Sequence, residues 1–311
     1  MSKLILDVDT GVDDAVAIAL ATTLDFDLIG VTTVAGNVPV ETATRNTLDV
    51  VSWLGRSDVE VHRGASRPLV ASYLDATHVH GGNGLGGVEL PRSAAKERSL
   101  AGPAFIIESA FAYGDDLTIV TLGPLTNLAI AINVRPEIVE RICKLVVMGG
   151  AYYTGGNVTP HAEFNIYVDP HAADQVLSAP WRDLTLVGLD VTHQTVFPRA
   201  TWDRMSRDAH PGASLVHAVM ERTFTERGMS GFYLHDPLAV AVASDPTLVG
   251  GSQRTVSVVT DGEYRGRTTI LEGANGPLVA TSVDAGRFVT GLAAALGLPE
   301  MDAASGFEMP E

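Results

Sequence analysis

The sequence predicts an α/β protein with an open, mostly parallel sheet that has helices on both faces. Two observations support this fold class: short β-type runs alternate with helical runs, and these runs are apolar, as expected for strands covered on both faces. A third is an Asp-Gly pair between the runs Thr255–Thr260 and Tyr264–Leu271, which predicts an antiparallel C-terminal hairpin. Because we find no internal repeat and no linker, we predict a single domain over residues 1–311.

The elements of this sheet follow in chain order. The predicted strands are Leu4–Val8, Asp27–Thr33, Val59–Arg63, Leu117–Leu122, Leu145–Met148 and Thr185–Gly188. The predicted helices between and after them are Asp14–Leu24, Val40–Leu54, Pro103–Ala112, Leu125–Asn133 and Pro170–Leu177. Asp13 and Asp14 stand at the start of the first helix, where carboxylates suit the free N–H groups and the helix dipole.

Composition limits the classes of function. The 311 residues carry a net charge of −16, and the mean hydropathy of +0.18 is too high for a disordered chain. The acidity and the three scattered lysines argue against a nucleic-acid surface. The single cysteine, Cys143, excludes an internal disulfide and a cysteine-rich zinc site. No apolar run approaches the roughly 18 residues of a membrane span and no signal peptide is seen, so we expect a soluble cytoplasmic protein without a membrane partner.

Four aspartates dominate the first strand end. Asp7, Asp9, Asp13 and Asp14 lie within eight residues, at the end of the first strand and the start of the first helix. Ligands of open α/β sheets bind outside the carboxyl ends of the strands. Crowded carboxylates are unfavourable unless a cation or protons relieve them, and an oxygen-only set favours Ca²⁺ or Mg²⁺ over zinc.

Other interpretations of this motif remain open at the sequence level. One or two of the aspartates can be helix caps. Asp9-Thr10-Gly11 matches the aspartic-protease triplet, but the chain has no second copy. Asp7-Val8-Asp9 is similar to the nucleophile of haloacid-dehalogenase-like phosphatases, which would make the protein a Mg²⁺-dependent phosphohydrolase. A non-catalytic nucleoside- or ribose-binding protein is the alternative from a different class.

Further polar motifs follow later strands. Alone, each is explained by a turn, a helix start or an N-cap. Together they supply a backbone carbonyl for a cation, amides and a carboxylate for vicinal hydroxyls, and a histidine beside a carboxylate that suits acid catalysis. In chain order they are Gly36-Asn37, Leu122–Asn127, Met148–Gly150, Gly155–Asn157, Ala162–Asn165 and His235–Pro237.

In this joint order the motifs resemble the inosine-uridine-preferring nucleoside hydrolase family, over nearly the whole chain from Leu4 to about Val289. The resemblance implies a Rossmann-like open sheet and a tightly bound Ca²⁺. It also implies hydrolysis of the N-glycosidic bond of ribonucleosides to free base and ribose, and assembly into a homodimer or homotetramer.

The resemblance assigns a role to each motif position. Three carboxylates and one carbonyl would ligate Ca²⁺: Asp9, Asp14, the backbone oxygen of Leu122 and Asp236. Asp13 would hold the nucleophilic water as general base, with Asp7 supporting the site from behind. The ribose would be bound by Asn37, Met148, Asn157, Glu163 and Asn165.

The nucleobase would lie near His80 and Phe164, with His235 as the candidate acid toward the leaving base. A base-contacting helix is expected within Val216–Thr225. The sequence departs from the family pattern at Thr10, where proline is common, and at Asn83, where aspartate is usual.

Hydrolysis of an N-glycosidic bond by these residues is also chemically consistent without reference to the family. Cleavage of an N-glycosidic bond passes through an oxocarbenium-like state, which anionic oxygens around the ribose stabilise. A cation acidifies a water, and Asp13 takes its proton.

Overall fold

The computed structural model describes residues 1–206, 210–273 and 275–301 of the chain. Within these ranges the strands are β1 (Ser2–Val8), β2 (Phe26–Thr33), β3 (Glu60–Arg63), β4 (Leu117–Thr121), β5 (Lys144–Met148), β6 (Leu184–Val187), β7 (Val196–Pro198), β8 (Gly231–Tyr233), β9 (Val249–Gln253), β10 (Thr255–Val258), β11 (Thr268–Leu271) and β12 (Leu278–Val283). The helices are α1 (Val12–Ala21), α2 (Val40–Trp53), α3 (Thr77–His80), α4 (Gly102–Tyr113), α5 (Thr126–Val134), α6 (Ile138–Arg141), α7 (Phe164–Val168), α8 (Pro170–Ser178), α9 (Leu189–Thr192), α10 (Arg199–Trp202), α11 (Pro211–Thr225), α12 (His235–Ser244) and α13 (Ala285–Leu296).

The central sheet runs in the order β3-β2-β1-β4-β5-β6-β12-β9. Its neighbours pair in parallel except for the edge pair of β12 and β9, which is antiparallel. The strand order reverses between β1 and β4, and such a switch point leaves a crevice at the carboxyl ends of the two strands. The predicted Rossmann-like, mostly parallel sheet is therefore confirmed.

Strand β1 shows why the sheet forms at the centre of the molecule. Leu4, Ile5 and Leu6 are all fully buried, because helices cover both faces. Leu4 and Leu6 join the apolar cluster that contains α1, α11 and α12 residues, whereas Ile5 joins the cluster with α4, α5 and α8 residues. The alternation of side chains along a strand thus serves two cores at once.

The C-terminal hairpin is confirmed, with shorter strands than predicted. β10 pairs antiparallel with β11, from Thr255 opposite Leu271 to Val258 opposite Thr268. The second strand begins at Thr268 rather than at Tyr264, because the preceding residues form turns: the N–H of Arg267 donates to the carbonyl of Tyr264 at 2.9 Å. Arg267 also forms an isolated bridge with Ala162. The hairpin is thereby fixed to the loop that precedes α7.

The remaining predicted strands and helices occur within a few residues of their expected ends. In the described parts of the chain, no helix combines the length and apolar character needed to cross a membrane.

Candidate active site

The first carboxylate of the site follows strand β1 directly. Asp9 is fully buried, and its two oxygens accept hydrogen bonds from the backbone N–H of Asn37 at 2.7 Å and from its side-chain amide at 3.1 Å. A Cβ at Gly36 would lie 2.0 Å from Asp9 Oδ2, and one at Gly123 would lie 3.1 Å from Oδ1. The two glycines of the strand-end motifs therefore make room for one buried carboxylate.

Three more carboxylates converge where helices α1 and α12 begin. One oxygen from each of Asp13, Asp14 and Asp236 lies within 4.8 Å of the others, and all three residues are buried. Asp14 Oδ2 accepts from the backbone N–H of Gly11 at 2.8 Å and from the amide of Asn37 at 3.2 Å. In the described residues, Oδ1 of Asp13 and Oδ1 of Asp14 are buried without a hydrogen-bond partner.

Burial makes this cluster electrostatically costly. It raises the pKa of Asp13 to about 6, and burial together with the charge of Asp13 raises the pKa of Asp14 to about 7. Burial first, and then the charges of Asp13, Asp14 and Asp9, hold the pKa of Asp236 well above its ordinary value. Unpartnered buried oxygens of this kind call for protons or a cation, and the oxygen-only donors fit a hard cation such as Ca²⁺.

The carbonyl predicted to join this set lies after strand β4. Leu122 lines the same cavity as Asp13 and Asp236. Its carbonyl oxygen accepts a hydrogen bond from the side-chain amide of Asn165 at 2.7 Å. Strand β4 is the direct neighbour of β1 in the sheet, so the carbonyl arrives beside the aspartates through parallel pairing.

The predicted ribose ligands line one wall of this cavity. They are Asn37, Met148, Asn157, Glu163 and Asn165. Glu163 is held as the N-cap of α7: its carboxylate accepts from the N–H groups of Asn165, Ile166 and Gly150 at 2.9 to 3.1 Å. Burial raises its pKa, and these N–H donors act in the opposite sense by stabilising the charged form.

The rest of the cavity lining, which we call the ring-lined wall, includes several aromatic and imidazole rings. His80, Phe164 and His235 are among its residues. Its other residues were not predicted: Ala76, His78, Val79, Val158, Phe232 and Tyr233. Phe232 and Tyr233 occupy β8, immediately before the His-Asp-Pro motif, and that short apolar run is the signal from which they could have been found.

Two cavity-lining histidines, His80 and His235, are held through Nδ1. His80 Nδ1 accepts from the backbone N–H of Val12 at 3.1 Å, and His235 Nδ1 lies 2.7 Å from the hydroxyl oxygen of Thr192. Burial lowers the pKa of each ring to about 3, aided by Arg227 and His78 at His80, and by His193 and His80 at His235. The surroundings therefore favour uncharged imidazoles at neutral pH.

Asp7 lies behind the cluster. Its Oδ1 accepts from Thr32 Oγ1 at 2.6 Å and from Asn127 Nδ2 at 2.7 Å, and its side chain is fully buried. Burial raises its pKa to about 7, and the charge of Asp14 adds to this rise. Asn127, the last residue of the Gly-Pro-Leu-Thr-Asn motif, also accepts from the backbone N–H of Ala65 at 2.8 Å, so it ties Asp7 to the loop after β3.

One expectation about the base site and one departure from the family pattern can be placed in the structure. Helix α11 contains the expected base-contacting segment, but its side chains at Val219, Thr223 and Phe224 are buried in the molecule, and none is among the described residues that line the cavity. Thr10, at the first departure from the family pattern, bonds to the hydroxyl of Thr47 at 2.6 Å.

Asn83, the second departure from the family pattern, lies in a glycine-rich loop formed by residues 81–87. Asn83 Oδ1 accepts from the N–H groups of Leu85 and Gly87, and its amide donates to the carbonyl of Val88 at 2.8 Å. The residue therefore organises its own loop.

Comparison with known proteins agrees with this geometry. The model of the inosine-uridine preferring nucleoside hydrolase family matches residues 4–290. The chain is similar to the probable uridine nucleosidase 2 of Arabidopsis thaliana, with 36% identity over 86% of this chain and 85% of that protein. It is also similar to the inosine-uridine preferring nucleoside hydrolase of Leishmania major, with 35% identity over 87% of each.

A solved structure shows the same similarity in three dimensions. The purine-preferring ribonucleoside hydrolase from Gardnerella vaginalis superposes with a TM-score of 0.87 and 38% identity, over 94% of this chain and 98% of that one. The names of these relatives include both uridine and purine preferences, so the comparisons leave the base preferred by this chain open.

Proposed function

Because the chain belongs to the inosine-uridine preferring nucleoside hydrolase family, and is therefore a hydrolase of ribonucleoside N-glycosyl bonds, we propose the following mechanism for it. Asp13 activates the attacking water and His235 assists departure of the base, and the buried aspartates would hold a Ca²⁺ ion. The observation that carries this proposal is the group of buried carboxylate oxygens without partners at the switch point of the sheet.

The residues that would hold the ion are Asp9, Asp14, Asp236 and the carbonyl of Leu122. Bound there, a calcium ion would orient a water molecule, lower its pKa and bind ribose hydroxyls. A protein-derived set of oxygens with coordination positions left for water and sugar suits the high coordination number of this ion.

Asp13 is assigned the proton transfer. Its Oδ1 is buried, has no hydrogen-bond partner among the described residues and lies 3.8 Å from His80 Nδ1, and the residue lines the cavity. The raised pKa, about 6, brings it closer to the range in which a carboxylate serves as a general base near neutral pH. In the step we propose, a water oxygen bonds to C1′ while its proton passes to Asp13, and the C1′–N bond breaks with its electron pair leaving on the base.

The sugar wall supplies orientation and charge. Asn37, Asn157, Glu163 and Asn165 present amide and carboxylate groups to the ribose hydroxyls, and Met148 packs against the ring. The nearby carboxylates stabilise positive charge that develops at C1′. The ring-lined wall binds the base between His80 and Phe164.

The alternatives have less support. A phosphohydrolase with Asp7 or Asp9 as nucleophile requires an accessible carboxylate and a cationic clamp for phosphate. Asp7 and Asp9 are fully buried, and no lysine or arginine occurs among the described residues that line the cavity. A binding protein without turnover has no use for the costly group of aspartates around Asp13.

The test is release of ribose from inosine, adenosine, guanosine, uridine and cytidine, each measured with added Ca²⁺ and after exhaustive chelation. We expect release that stops on chelation and returns with Ca²⁺ but not with Mg²⁺. No release from folded, Ca²⁺-loaded protein would reject the proposal, and release that resists chelation would reject its metal component. Light scattering of the same sample tests the predicted homodimer or homotetramer.

A further inference from the structure

Thr192 is a buried hydroxyl placed behind one of the site histidines. It is the last residue of helix α9, its exposed fraction is 0%, and its Oγ1 lies 2.7 Å from Nδ1 of His235. Helix α9 follows strand β6, so the hydroxyl reaches His235 from a part of the sheet separate from the aspartates. No motif of the sequence pointed to it, because its partner lies 43 residues further along the chain.

The direction of this hydrogen bond follows from the surroundings of the hydroxyl. Among the described residues, Thr192 Oγ1 forms a hydrogen bond to His235 and to no other group. If Nδ1 carried the proton, the buried hydroxyl hydrogen would have no acceptor, and leaving a buried donor unsatisfied is unfavourable. The favourable arrangement therefore has the hydroxyl donating to an unprotonated Nδ1, which puts the ring proton on Nε2.

The rest of the ring is held in a matching way. Tyr233 packs against His235 with ring centroids 5.5 Å apart, and His193 lies at 5.7 Å. His193 itself stacks on Tyr233 at 4.5 Å. Since Nδ1 is engaged by a fully buried side chain and His235 lines the cavity, the Nε2 edge is the part of the ring available to a ligand.

We infer that Thr192 is a positioning residue that fixes the Nε2–H form of His235, so that the ring donates a hydrogen bond to the departing nucleobase. The inference rests on the proposed function, since it assigns a role in base departure. In this step the electron pair of the broken C1′–N bond moves onto the base, and the hydrogen bond from Nε2 stabilises the anion that forms. His80 shows the same arrangement independently, with the Val12 N–H donating to its Nδ1.

The test separates departure of the base from the rest of the reaction. Thr192→Val removes the hydroxyl and keeps the shape of the side chain. Its kcat is compared on uridine and inosine, whose bases leave poorly, and on p-nitrophenyl β-D-riboside, whose leaving group is a stable anion without help. We expect kcat for the nucleosides to fall about 10- to 100-fold, and kcat for the nitrophenyl riboside to stay within about twofold of wild type.

Two variants serve as controls. Thr192→Ser keeps the hydroxyl and should retain most nucleoside activity. Thr195→Val removes another fully buried hydroxyl of the same segment, whose hydrogen bonds go to the backbone carbonyls of Thr192 and Leu234, and should affect both substrate types equally and weakly. An equal loss on both substrate types in Thr192→Val, or no loss on either, would overturn the role of Thr192.

A second measurement does not depend on activity or on the folding of a variant. In ¹⁵N-histidine-labelled wild-type protein, with His235 assigned by loss of its signals in His235→Gln, we expect a pyridine-type Nδ1 and a protonated Nε2. The opposite tautomer would overturn the inference. A wild-type enzyme that cleaves the nitrophenyl riboside but no nucleoside would instead contradict the proposed function, and the tautomer measurement would still stand as a separate result.

Discussion

The two ends of the cavity are built in opposite ways. At the carboxylate end, Asp9, Asp13 and Asp14 come from one short stretch, Asp236 is added from α12, and all four are buried carboxyl groups. At the base end, His80 and His235 come from distant segments, and their surroundings favour uncharged rings. One end therefore accumulates negative charge that needs a cation, whereas the other excludes charge and offers N–H groups. This contrast indicates that activation of water and departure of the base depend on different residues. Substitutions at one end should therefore change one step without the other.

The largest effect is expected at the carboxylate end. Asp13→Asn keeps the size of the side chain but removes the proton acceptor, so kcat should fall about 10³-fold. Unlike Thr192→Val, it should slow nucleosides and the nitrophenyl riboside alike, because both need an activated water. Steady-state kinetics with metal analysis of the variant checks this.

Asp190→Asn is the matched control for Asp13→Asn. Its carboxylate accepts from the backbone N–H groups of Tyr152 and Tyr153 at 2.9 and 2.7 Å and is not among the described residues lining the cavity. A fall in Asp13→Asn that spares the nitrophenyl riboside would contradict the division between the two ends.

A smaller and selective effect is expected from His80→Ala. Removal of the ring deletes an N–H donor and a wall of the base site, so kcat/KM for nucleosides should fall about 10- to 100-fold while Ca²⁺ content is unchanged. His161→Ala, at an exposed ring that packs against Tyr264 at 4.9 Å, should leave kinetics unchanged. Loss of bound metal in His80→Ala would show that the two ends are not independent.

The buried carboxyl groups should also make the stability of the metal-free protein depend on pH. Burial raises the pKa of Asp7 and Asp14 to about 7 and that of Asp13 to about 6. Without metal, the folded state then binds more protons than the unfolded state between about pH 4 and pH 7, so stability is highest at the acidic side and falls as pH rises. We expect the Tm of chelated protein to drop by at least about 3 °C from pH 5 to pH 8, as measured by calorimetry. Added Ca²⁺ should restore Tm most at pH 8, and a Tm of chelated protein that rises over this range would contradict the placement of these charges.

The smallest effect is expected in the glycine-rich loop. Asn83→Asp loses the amide donor to the carbonyl of Val88 but keeps an oxygen that accepts from Leu85 and Gly87. Stability should fall by about 0.5–1.5 kcal/mol, the usual contribution of one hydrogen bond, and kcat should change less than about twofold. Urea denaturation with parallel kinetics measures both quantities, and Asn83→Ala, which removes all three contacts, should be the less stable of the two.

The sequence predicted the fold and the carboxylate end more completely than the base end. Apolar runs and their alternation with helices follow from local pattern, and Asp9, Asp13 and Asp14 are neighbours along the chain as well as in space. Parallel pairing of β1 and β4 then explains why Leu122 arrives beside them.

The base end has no comparable local signal. Phe232 and Tyr233 are ordinary strand residues until folding brings them to the cavity, and the contact of Thr192 with His235 depends entirely on tertiary structure. Helix α11 was expected at the base from the family resemblance alone, but Val219, Thr223 and Phe224 are buried in the core.

The first turn of α1 sets the distance between the two ends. Val12 donates its N–H to His80, the next two residues carry the cluster's carboxylates, and a Cβ on Gly11 would lie 2.6 Å from His80 Nδ1 and 2.8 Å from Asn37 Nδ2. Residues 9–14 therefore set this spacing, and position 11 has no room for an added methyl group unless His80 or Asn37 shifts. For protein engineering, a different leaving group is better accommodated by exchanging cavity-lining residues without an assigned role, such as Ala76, Val79 and Phe232.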